Sequence, residues 1–395
     1  MLNTLNDVLN NVDNFIWGMP LIILILFTGI LLTVRLRGLQ IRHLGKALHY
    51  VFHNEDDGEG EVTSFGALCT ALSATIGTGN IVGCATAIVA GGPGALFWMW
   101  LAAFFGMATK YAEGMLAVKY RVIAEDGHTL GGPFYYIEKG MGKNFKWLAK
   151  LFCVFGTMVG LFGIGTFTQV NGITSAVNNF FDPSNVHTIS LFGMNYSISV
   201  VVAGIIVTIC AGLVIIGGIK RISKVSEVIV PFMAVTYIGV CLIIVFTHLP
   251  QVPAAFAEIV QSAFGLKAVA GGAIGAMTVA MQKGIARGIF SNEAGLGSAP
   301  IAAAAAQTNE PVRQGLVSMT GTFIDTIIVC TMTGLAIVMT GAWDMGLEGV
   351  AVTTKAFALG LPFPAKASAF VLMMCLVFFA FTTILGWAYY SERCL

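Results

Sequence analysis

The chain contains 395 residues, of which 56% are hydrophobic and only 10% are charged. Soluble domains carry about 25% charged residues, so the composition excludes a protein with an ordinary water-facing surface. The formal net charge of +1 gives no support for binding to nucleic acid. The eight cysteines form no CxxC pair and lie in or beside apolar runs, which predicts packing residues and neither a disulfide framework nor a zinc site.

Nine segments are apolar over the roughly 20 residues that a transmembrane helix needs. In chain order they are residues 15–34, 64–90, 95–119, 147–178, 197–218, 225–248, 266–290, 314–340 and 366–390. Backbone inside a bilayer must be helical or form a closed barrel, and the sequence shows no alternating strand pattern. We therefore predict an all-α, polytopic protein embedded in a lipid bilayer.

Two segments between these spans have a different pattern. Residues 36–53 are basic and amphipathic, which predicts a helix lying on the membrane surface. Residues 344–363 alternate small and polar side chains and are broken by Pro362, so we expect a structured hairpin outside the membrane.

The basic residues indicate an orientation. If residues 35–63 lie inside and the nine spans alternate, eighteen of the 21 lysines and arginines lie inside, Lys283 and Arg287 among them. Inner loops of membrane proteins carry an excess of Lys and Arg. The distribution therefore predicts that the amino terminus faces outside.

Glycine clusters interrupt two of the predicted spans. Gly77 and Gly79 lie in the second span, and Gly271, Gly272 and Gly275 lie in the seventh. Each glycine costs a helix about 1 kcal/mol relative to alanine, and unwound backbone is tolerated in a membrane where it lines a cavity. The two spans cross in opposite directions, which predicts an inverted repeat with its site between the breaks. Close helix packing is the alternative explanation for such glycines.

Five runs of sequence resemble the alanine/glycine:cation symporter family. They are LSATIGTGNIVGCATAIVAGGPGALFWMW (72–100), GGPFYYIEKGM (131–141), RGIFSNEAGLGSAP (287–300), DTIIVCTMTG (325–334) and FAFTTILGW (379–387). The resemblance implies a five-plus-five inverted repeat of the leucine-transporter type, preceded by one extra helix, in the cytoplasmic membrane of a prokaryote. It divides the chain into residues 1–63 (extra helix and surface helix), 64–248 (first repeat) and 249–395 (second repeat). The family fold has eleven spans, so we expect the last two helices to be missing from this chain.

The resemblance also implies a function. The family imports small neutral amino acids, alanine and glycine, together with Na⁺ by alternating access, and uses no organic cofactor. A proton-coupled carrier of the same fold and a non-transporting fragment are alternatives, and a channel or an intramembrane enzyme are more distant ones. The sequence contains neither HExxH nor GxSxG, so we do not predict an enzyme.

An amino-acid substrate needs one group of ligands for its carboxylate and another for its ammonium. Main-chain N–H groups at the start of a half-helix hold anions well, which assigns the carboxylate to the first break. Carbonyls freed at the second break and a buried amide are expected to hold the ammonium, and two aromatic side chains to limit the size of the substrate. The predicted substrate-binding residues are Thr78, Gly79, Asn80, Phe167, Gln169, Asn171, Gly271, Gly272, Gly275 and Trp387. Buried amides also serve simply to join helices.

The resemblance to the leucine-transporter fold implies a Na⁺ site between the first break and the ninth span. Its expected ligands are carbonyls of Ser73, Ile76 and Phe379 and hydroxyls of Thr382 and Thr383. Threonine hydroxyls in helices otherwise bond to the preceding turn.

Asp325 is an isolated carboxylate deep in the eighth predicted span. Intramembrane carboxylates are functional candidates, so we expect Asp325 to couple or to gate transport, with hydrogen-bonded packing as the alternative. The SNEAG run, Ser291–Gly295, falls after the seventh span and is predicted to be an inner loop, whose Asn and Glu cap helices and act as gate residues and do not bind substrate.

Overall fold

A computed structural model describes residues 2–53, 58–125, 127–191, 193–266 and 272–395, and these are predominantly helical, as predicted. The α-helices are α1 (Leu2–Ile16), α2 (Met19–Arg35), α3 (Leu39–Arg42), α4 (Leu44–Phe52), α5 (Ser64–Thr75), α6 (Cys84–Gly91), α7 (Gly94–Lys119), α8 (Pro133–Tyr136), α9 (Lys146–Phe162), α10 (Phe167–Phe181), α11 (Ile198–Ile215), α12 (Gly218–Thr247), α13 (Val252–Ala263), α14 (Ala273–Asn292), α15 (Ala299–Ala303), α16 (Pro311–Thr322), α17 (Thr331–Met339), α18 (Val350–Gly360) and α19 (Ala365–Cys394).

Shorter elements connect or interrupt these helices. Three segments are π-helical, Gly79–Gly83, Ile137–Met141 and Phe323–Cys330, and three are 3₁₀-helical, Lys143–Phe145, Leu249–Gln251 and Ala342–Asp344. Two antiparallel hairpins lie in loops. In the first, β1 (Val122–Ile123) pairs with β2 (Thr129–Leu130), and in the second, β3 (Thr188–Leu191) pairs with β4 (Met194–Ser197).

The helices are those of a multi-pass membrane protein. In the described part of the chain, five stretches are long and apolar enough to cross a membrane: residues 143–181, α11, α12, residues 311–339 and α19. A sixth is formed if α5 and residues 79–91, which meet at 52°, are counted as one span. The first, third and seventh predicted spans correspond to α2, α7 and α14, which are helical but shorter or less apolar than the other spans.

The structure bears on the two predictions for the peripheral segments. Residues 36–53 form the helices α3 and α4, and Ala47 and Val51 of α4 are buried against the protein, while the position of these helices on a membrane surface stays a prediction. The predicted hairpin at 344–363 is wrong, since most of it is the helix α18. Val352, Ala356 and Gly360 recur every four residues along α18 and form a buried face. The helical period was hidden in the sequence because small and polar residues dominate the segment.

The core of the bundle forms around α5, α12 and α19. Leu72 and Ile76 at the end of α5 pack in one buried cluster with Met233 and Tyr237 of α12 and Phe379 of α19. Close packing of this kind leaves side chains few alternative positions. The last turn of α5, where the chain unwinds, is therefore held between two long helices.

The bundle has two ends that are distinguished by their contacts. Val62, just before α5, pairs its main chain with Ala306, and the Arg121 guanidinium donates to the Ala306 carbonyl at 2.7 Å. We call this the Arg121 end. At the opposite end of the path through α5 and α6, Gly91 closes α6 and packs against Ala280 of α14. We call this the Gly91 end.

Candidate functional site

The first break lies where it was predicted. The helix α5 ends at Thr75, residues 76–78 are not helical, and the chain resumes as a π-helical segment at Gly79. The Gly77 N–H donates to the side-chain oxygen of Asn80 at 3.0 Å, so the break supplies part of its own capping. An alanine Cβ at position 77 would lie 2.4 Å from the Thr383 hydroxyl, which explains why glycine is required there.

The second break is not where the glycine cluster predicted it. The helix α14 runs without interruption from Ala273 to Asn292, with Gly272 at its N-cap and Gly275 in its first turn. Gly271 lies outside the described residues. Glycine weakens a helix interior but is well tolerated where a helix begins, so these residues mark a start. The predicted unwinding around Gly272 and Gly275 is therefore wrong.

The chain unwinds instead immediately after α14. Glu293, Gly295 and Gly297 all have positive φ, at 55°, 90° and 77°, and helix resumes at Ala299 as α15. A non-glycine residue with positive φ is uncommon, and it stops a right-handed helix. The SNEAG run was expected to be an inner loop, but the structure shows that it is a break between two helices.

The two breaks meet at one buried carboxylate. Asp325, in the π-helical segment Phe323–Cys330, accepts from the Asn80 amide on Oδ1 at 2.7 Å. Its other oxygen, Oδ2, accepts from the hydroxyls of Ser291 at 2.9 Å and Thr326 at 2.7 Å. Asp325 thus joins the first break, the end of α14 and the eighth predicted span. Sequence reasoning identified the carboxylate but missed Ser291 and the π-helical segment, a feature that often marks functional sites.

This arrangement corrects the predicted orientation of Lys283. Ser291 and Asn80 of the first break both bond to Asp325, so the end of α14 lies at the same depth in the bundle as the first break. The earlier part of α14 extends from there toward the Gly91 end. The Cβ of Lys283 would lie 3.2 Å from a Cβ placed on Gly91. Lys283 therefore lies at the end opposite Arg121, and the prediction that placed both on the inner side is wrong. Arg287, one turn nearer Ser291, stacks on Phe290 at 5.6 Å.

Gln169 is brought to the first break, as its candidate role requires. Residues 163–166 interrupt the fourth predicted span, and α10 begins at Phe167. The buried Gln169 accepts from the Thr78 N–H on Oε1 at 3.3 Å and donates through Nε2 to the Ile164 carbonyl at 3.0 Å. Gly172, which sequence reasoning missed, lies opposite Thr78, because an added Cβ would be 2.6 Å from the Thr78 methyl group.

Phe167 and Asn171 do not reach the break in this structure. The Phe167 side chain is 62% exposed and stacks on Phe162, and Asn171 is also exposed. Residues 167 and 171 are four apart and share one face of α10, whereas Gln169 and Ile173 form the buried face.

The predicted sodium ligands are brought together in part. The Thr383 hydroxyl lies 3.4 Å from the Ile76 carbonyl and donates to the Phe379 carbonyl at 3.0 Å. The Thr382 hydroxyl bonds to the same Phe379 carbonyl at 3.0 Å, and the Ser73 hydroxyl donates to the Thr70 carbonyl at 2.7 Å. All of the predicted ligands are buried. Uncharged oxygens from α19 and the first break therefore converge, and in this conformation the hydroxyls bond to the backbone.

Trp387 packs between two interrupted segments. A Cβ on Gly165 would lie 2.4 Å from the Trp387 Cβ, and the indole Nε1 donates to Glu293 Oε1 at 3.1 Å. The Glu293 main-chain oxygen accepts from the Lys110 ammonium at 3.2 Å. The tryptophan thus links α19 to the second break. Sequence reasoning expected Glu293 to cap a helix and act as a gate residue and did not assign Lys110 to the site, because these contacts join residues far apart in the chain.

Sequence comparisons relate the chain to known transporters. A model of the sodium:alanine symporter family matches residues 2–395. An uncharacterized transporter of Haemophilus influenzae is 58% identical over 393 residues, which are 99% of this chain and 82% of the relative. The sodium/alanine symporter AgcS of Methanococcus maripaludis is 46% identical over 396 residues (98% and 82%), and the amino-acid carrier protein AlsT of Bacillus subtilis is 36% identical over 389 residues (98% and 77%). The family match runs through residue 395, so it does not support the expected loss of two helices or the fragment alternative.

Proposed function

The chain belongs to the sodium:alanine symporter family, and from that premise we propose that it imports alanine or glycine together with Na⁺ by alternating access. Cation-coupled amino-acid transport is the activity of the family, whereas the substrate and the coupling ion are our proposal. The observation that carries it is the meeting of two helix breaks at Asp325. Paired breaks in oppositely directed helices are where secondary transporters bind substrate and ion.

The directions of the broken helices favour an inverted repeat. The path through α5 and α6 runs from the Arg121 end to the Gly91 end, and the path through α14 and α15 runs back. We propose two repeats, residues 64–248 and 249–395, after an extra helix within residues 1–63. The amino terminus is proposed to face the outside of a prokaryotic cytoplasmic membrane, which places the Arg121 end inside.

The substrate is proposed to bind at the first break. The Thr78 N–H now donates to Gln169 Oε1 over a long 3.3 Å contact, which a substrate carboxylate could replace. The released Gln169 oxygen would then be available to the ammonium group. Trp387 packs close to Gly165 and limits the space for a side chain, which favours alanine or glycine. Gly79 and Asn80 complete the carboxylate side.

The coupling ion is proposed to bind between α19 and the first break. The carbonyls of Ile76 and Phe379 and the hydroxyl of Thr383 would be its first ligands, with Ser73 and Thr382 beside them. Occupation by Na⁺ would fix the end of α5 and so shape the substrate site. One charge crossing ~150 mV provides about 3.5 kcal/mol. At ~1.36 kcal/mol for each tenfold step, this supports roughly 300-fold accumulation.

Uptake into liposomes tests the proposal. The purified chain is reconstituted, and uptake of labelled alanine is measured under an inward Na⁺ gradient, with a K⁺ gradient as the control. We expect concentrative uptake with Na⁺ alone. Uptake driven by a proton gradient without Na⁺ would show that the protein is a carrier coupled to protons and not to Na⁺. Flux that does not saturate with alanine would indicate a channel and would contradict the proposal.

A further inference from the structure

Four charged side chains are buried around the second break. Lys110 and Glu113 of α7, Glu293 and Asp325 are 3%, 8%, 2% and 0% exposed. The Lys110 ammonium donates to the Glu293 main-chain oxygen, and Glu113 Oε1 accepts from the Gly297 N–H at 3.2 Å. If all four ionise, one positive charge is buried with three negative charges. Uncompensated buried charge is costly, so such a group tends to take up a proton or a cation.

Glu293 is the carboxyl in this group that contacts a proposed substrate-site residue. Its Oε1 accepts from the Trp387 indole at 3.1 Å, and its Oε2 accepts from the Ser298 hydroxyl. Both donors are uncharged, so neither cancels the charge of Glu293. The charged and titratable groups around it are Lys110 and Glu113 from α7, Asp325 from the π-helical segment and Tyr390 from α19.

We propose that Glu293 is a proton-binding site, and that its ionised form holds Trp387 in the position that closes the substrate site. This proposal rests on the proposed function. Hydrogen bonds to an ionised acceptor are roughly twice as strong as those between neutral groups. Protonation therefore loosens the tryptophan from the second break and lowers the affinity for the amino acid.

A proton fits this position better than a metal ion. Both carboxylate oxygens already face hydrogen-bearing groups, the indole N–H and the Ser298 hydroxyl, and the Lys110 ammonium is close by. A metal ion would have to displace these donors. A proton taken from water can sit on Oε2 and donate to the Ser298 oxygen, because a hydroxyl both donates and accepts. Among the residues described, no group of three His, Cys, Asp or Glu side chains has the arrangement of a metal site.

The first test needs no substrate. Infrared spectroscopy follows the protonation of carboxyl groups in the lipid-reconstituted protein from about pH 5 to 9. Buried carboxyl groups with raised pKa values titrate in this range. The glutamine in E293Q has the same shape as glutamate. Its amide oxygen can accept from Trp387 and its amide nitrogen can donate to Ser298, so the variant is expected to fold. We expect one carboxyl transition in this range to be lost in E293Q and kept in the control E138Q, whose carboxylate pairs with Lys146 outside the cluster. An unchanged transition in E293Q would overturn the proposal.

The second test measures the KM for alanine against pH at a fixed Na⁺ gradient. In the wild-type chain and E138Q we expect KM to rise about fivefold from pH 8 to pH 6, as the charge-assisted bond is lost. KM should be independent of pH in E293Q, and high at every pH in W387F, which cannot donate to Glu293. A wild-type pH profile in E293Q would contradict the proposal. If the wild-type chain shows the infrared transition but no uptake, the proposed function fails and the proton site stands.

Discussion

A single methyl group at position 77 is expected to disturb the proposed substrate site and the proposed sodium site together. An added Cβ at Gly77 would lie 2.4 Å from the Thr383 hydroxyl and 3.3 Å from Gln169 Oε1. G77A should therefore displace a proposed sodium ligand and a proposed substrate ligand together. Overpacking of this kind costs about 1–3 kcal/mol.

Sodium-dependent alanine uptake by G77A and its melting temperature are the measurements. We expect uptake to fall at least about tenfold, which corresponds to ~1.4 kcal/mol of lost binding. G83A is a matched control in the same broken helix, because an added Cβ there has no neighbour within 4 Å. Wild-type sodium dependence in G77A would contradict the proposed ion site.

Asp325 is the second residue at which a small change has a defined consequence. Its two oxygens accept from Asn80, Ser291 and Thr326. In D325N an amide N–H₂ replaces one acceptor and faces a donor. A buried donor left without a partner costs about 1–3 kcal/mol. We therefore expect D325N to have a lower melting temperature and a lower rate of alanine uptake than the wild-type chain.

The control for D325N is D344N, which changes an exposed aspartate at the end of a 3₁₀ segment. Thermal unfolding in detergent and alanine uptake are measured for both variants. Equal melting temperatures for D325N and the wild-type chain would show that Asp325 does not join the two breaks as described.

At the scale of elements, Arg121 connects the loop before α5 with the loop after α15. Its guanidinium donates to the Glu59 carbonyl before α5 and, after α15, to the carbonyls of Ala304, Ala306 and Thr308 at 2.9, 2.7 and 2.8 Å. The main chains of the two loops are also joined, since the Gln307 N–H donates to the Val62 carbonyl at 2.7 Å. These contacts join the loops at the Arg121 end, so the proposed alternating access requires that they separate.

Removing the guanidinium should loosen that end without unfolding the bundle. In R121A we expect faster hydrogen–deuterium exchange of amides in residues 59–62 and 304–308, and unchanged exchange in α12. Local opening of this type is governed by the stability of the element involved and not by that of the whole protein. R221A, which loses an exposed contact to Leu213, is the control. Equal exchange in R121A and R221A would contradict a closing role.

At the scale of the whole molecule, the path of α14 places Lys283 and His128 at opposite ends. Lys283 lies beside Gly91, whereas His128 pairs with Glu61 in the loops of the Arg121 end. Both side chains are exposed, so each position is suited to labelling. The proposed orientation places Lys283 outside and His128 inside.

Cysteine labelling in intact cells tests this orientation. Cys153 and Cys210, the native cysteines that are not buried, are first replaced by alanine. A membrane-impermeant maleimide should then modify K283C in intact cells and modify H128C only after permeabilisation. Labelling of both positions from the same side would contradict the path of α14. A reversed pattern would show that the protein has the opposite orientation in the membrane, with Lys283 and His128 still at opposite ends.

Much of the membrane architecture followed from the sequence alone. Each of the nine segments chosen by apolar length contains helix in the described part of the chain, and five or six stretches there are long and apolar enough to cross a membrane. The first break could be predicted at Gly77, since the closely spaced glycines Gly77 and Gly79 inside an apolar helix are unfavourable unless the chain unwinds there. Asp325 and Gln169 stood out as polar groups in apolar surroundings, whereas Thr383 was indicated only by the resemblance to the leucine-transporter fold, and the structure brings all three to the region of the first break.

Only the tertiary structure decided where the second break lies and which residues face it. The glycines at 272 and 275 and the SNEAG run both resemble chain interruptions, and local composition cannot show which of them is level with Gly79. That is decided by packing between helices that are 34 and 94 residues apart in sequence at the 2.9 Å bond from Ser291 to Asp325 and the bond from Trp387 to Glu293. The same limit explains the incorrect placement of Lys283, because alternating the spans assumes that each one crosses the membrane without stopping at mid-depth.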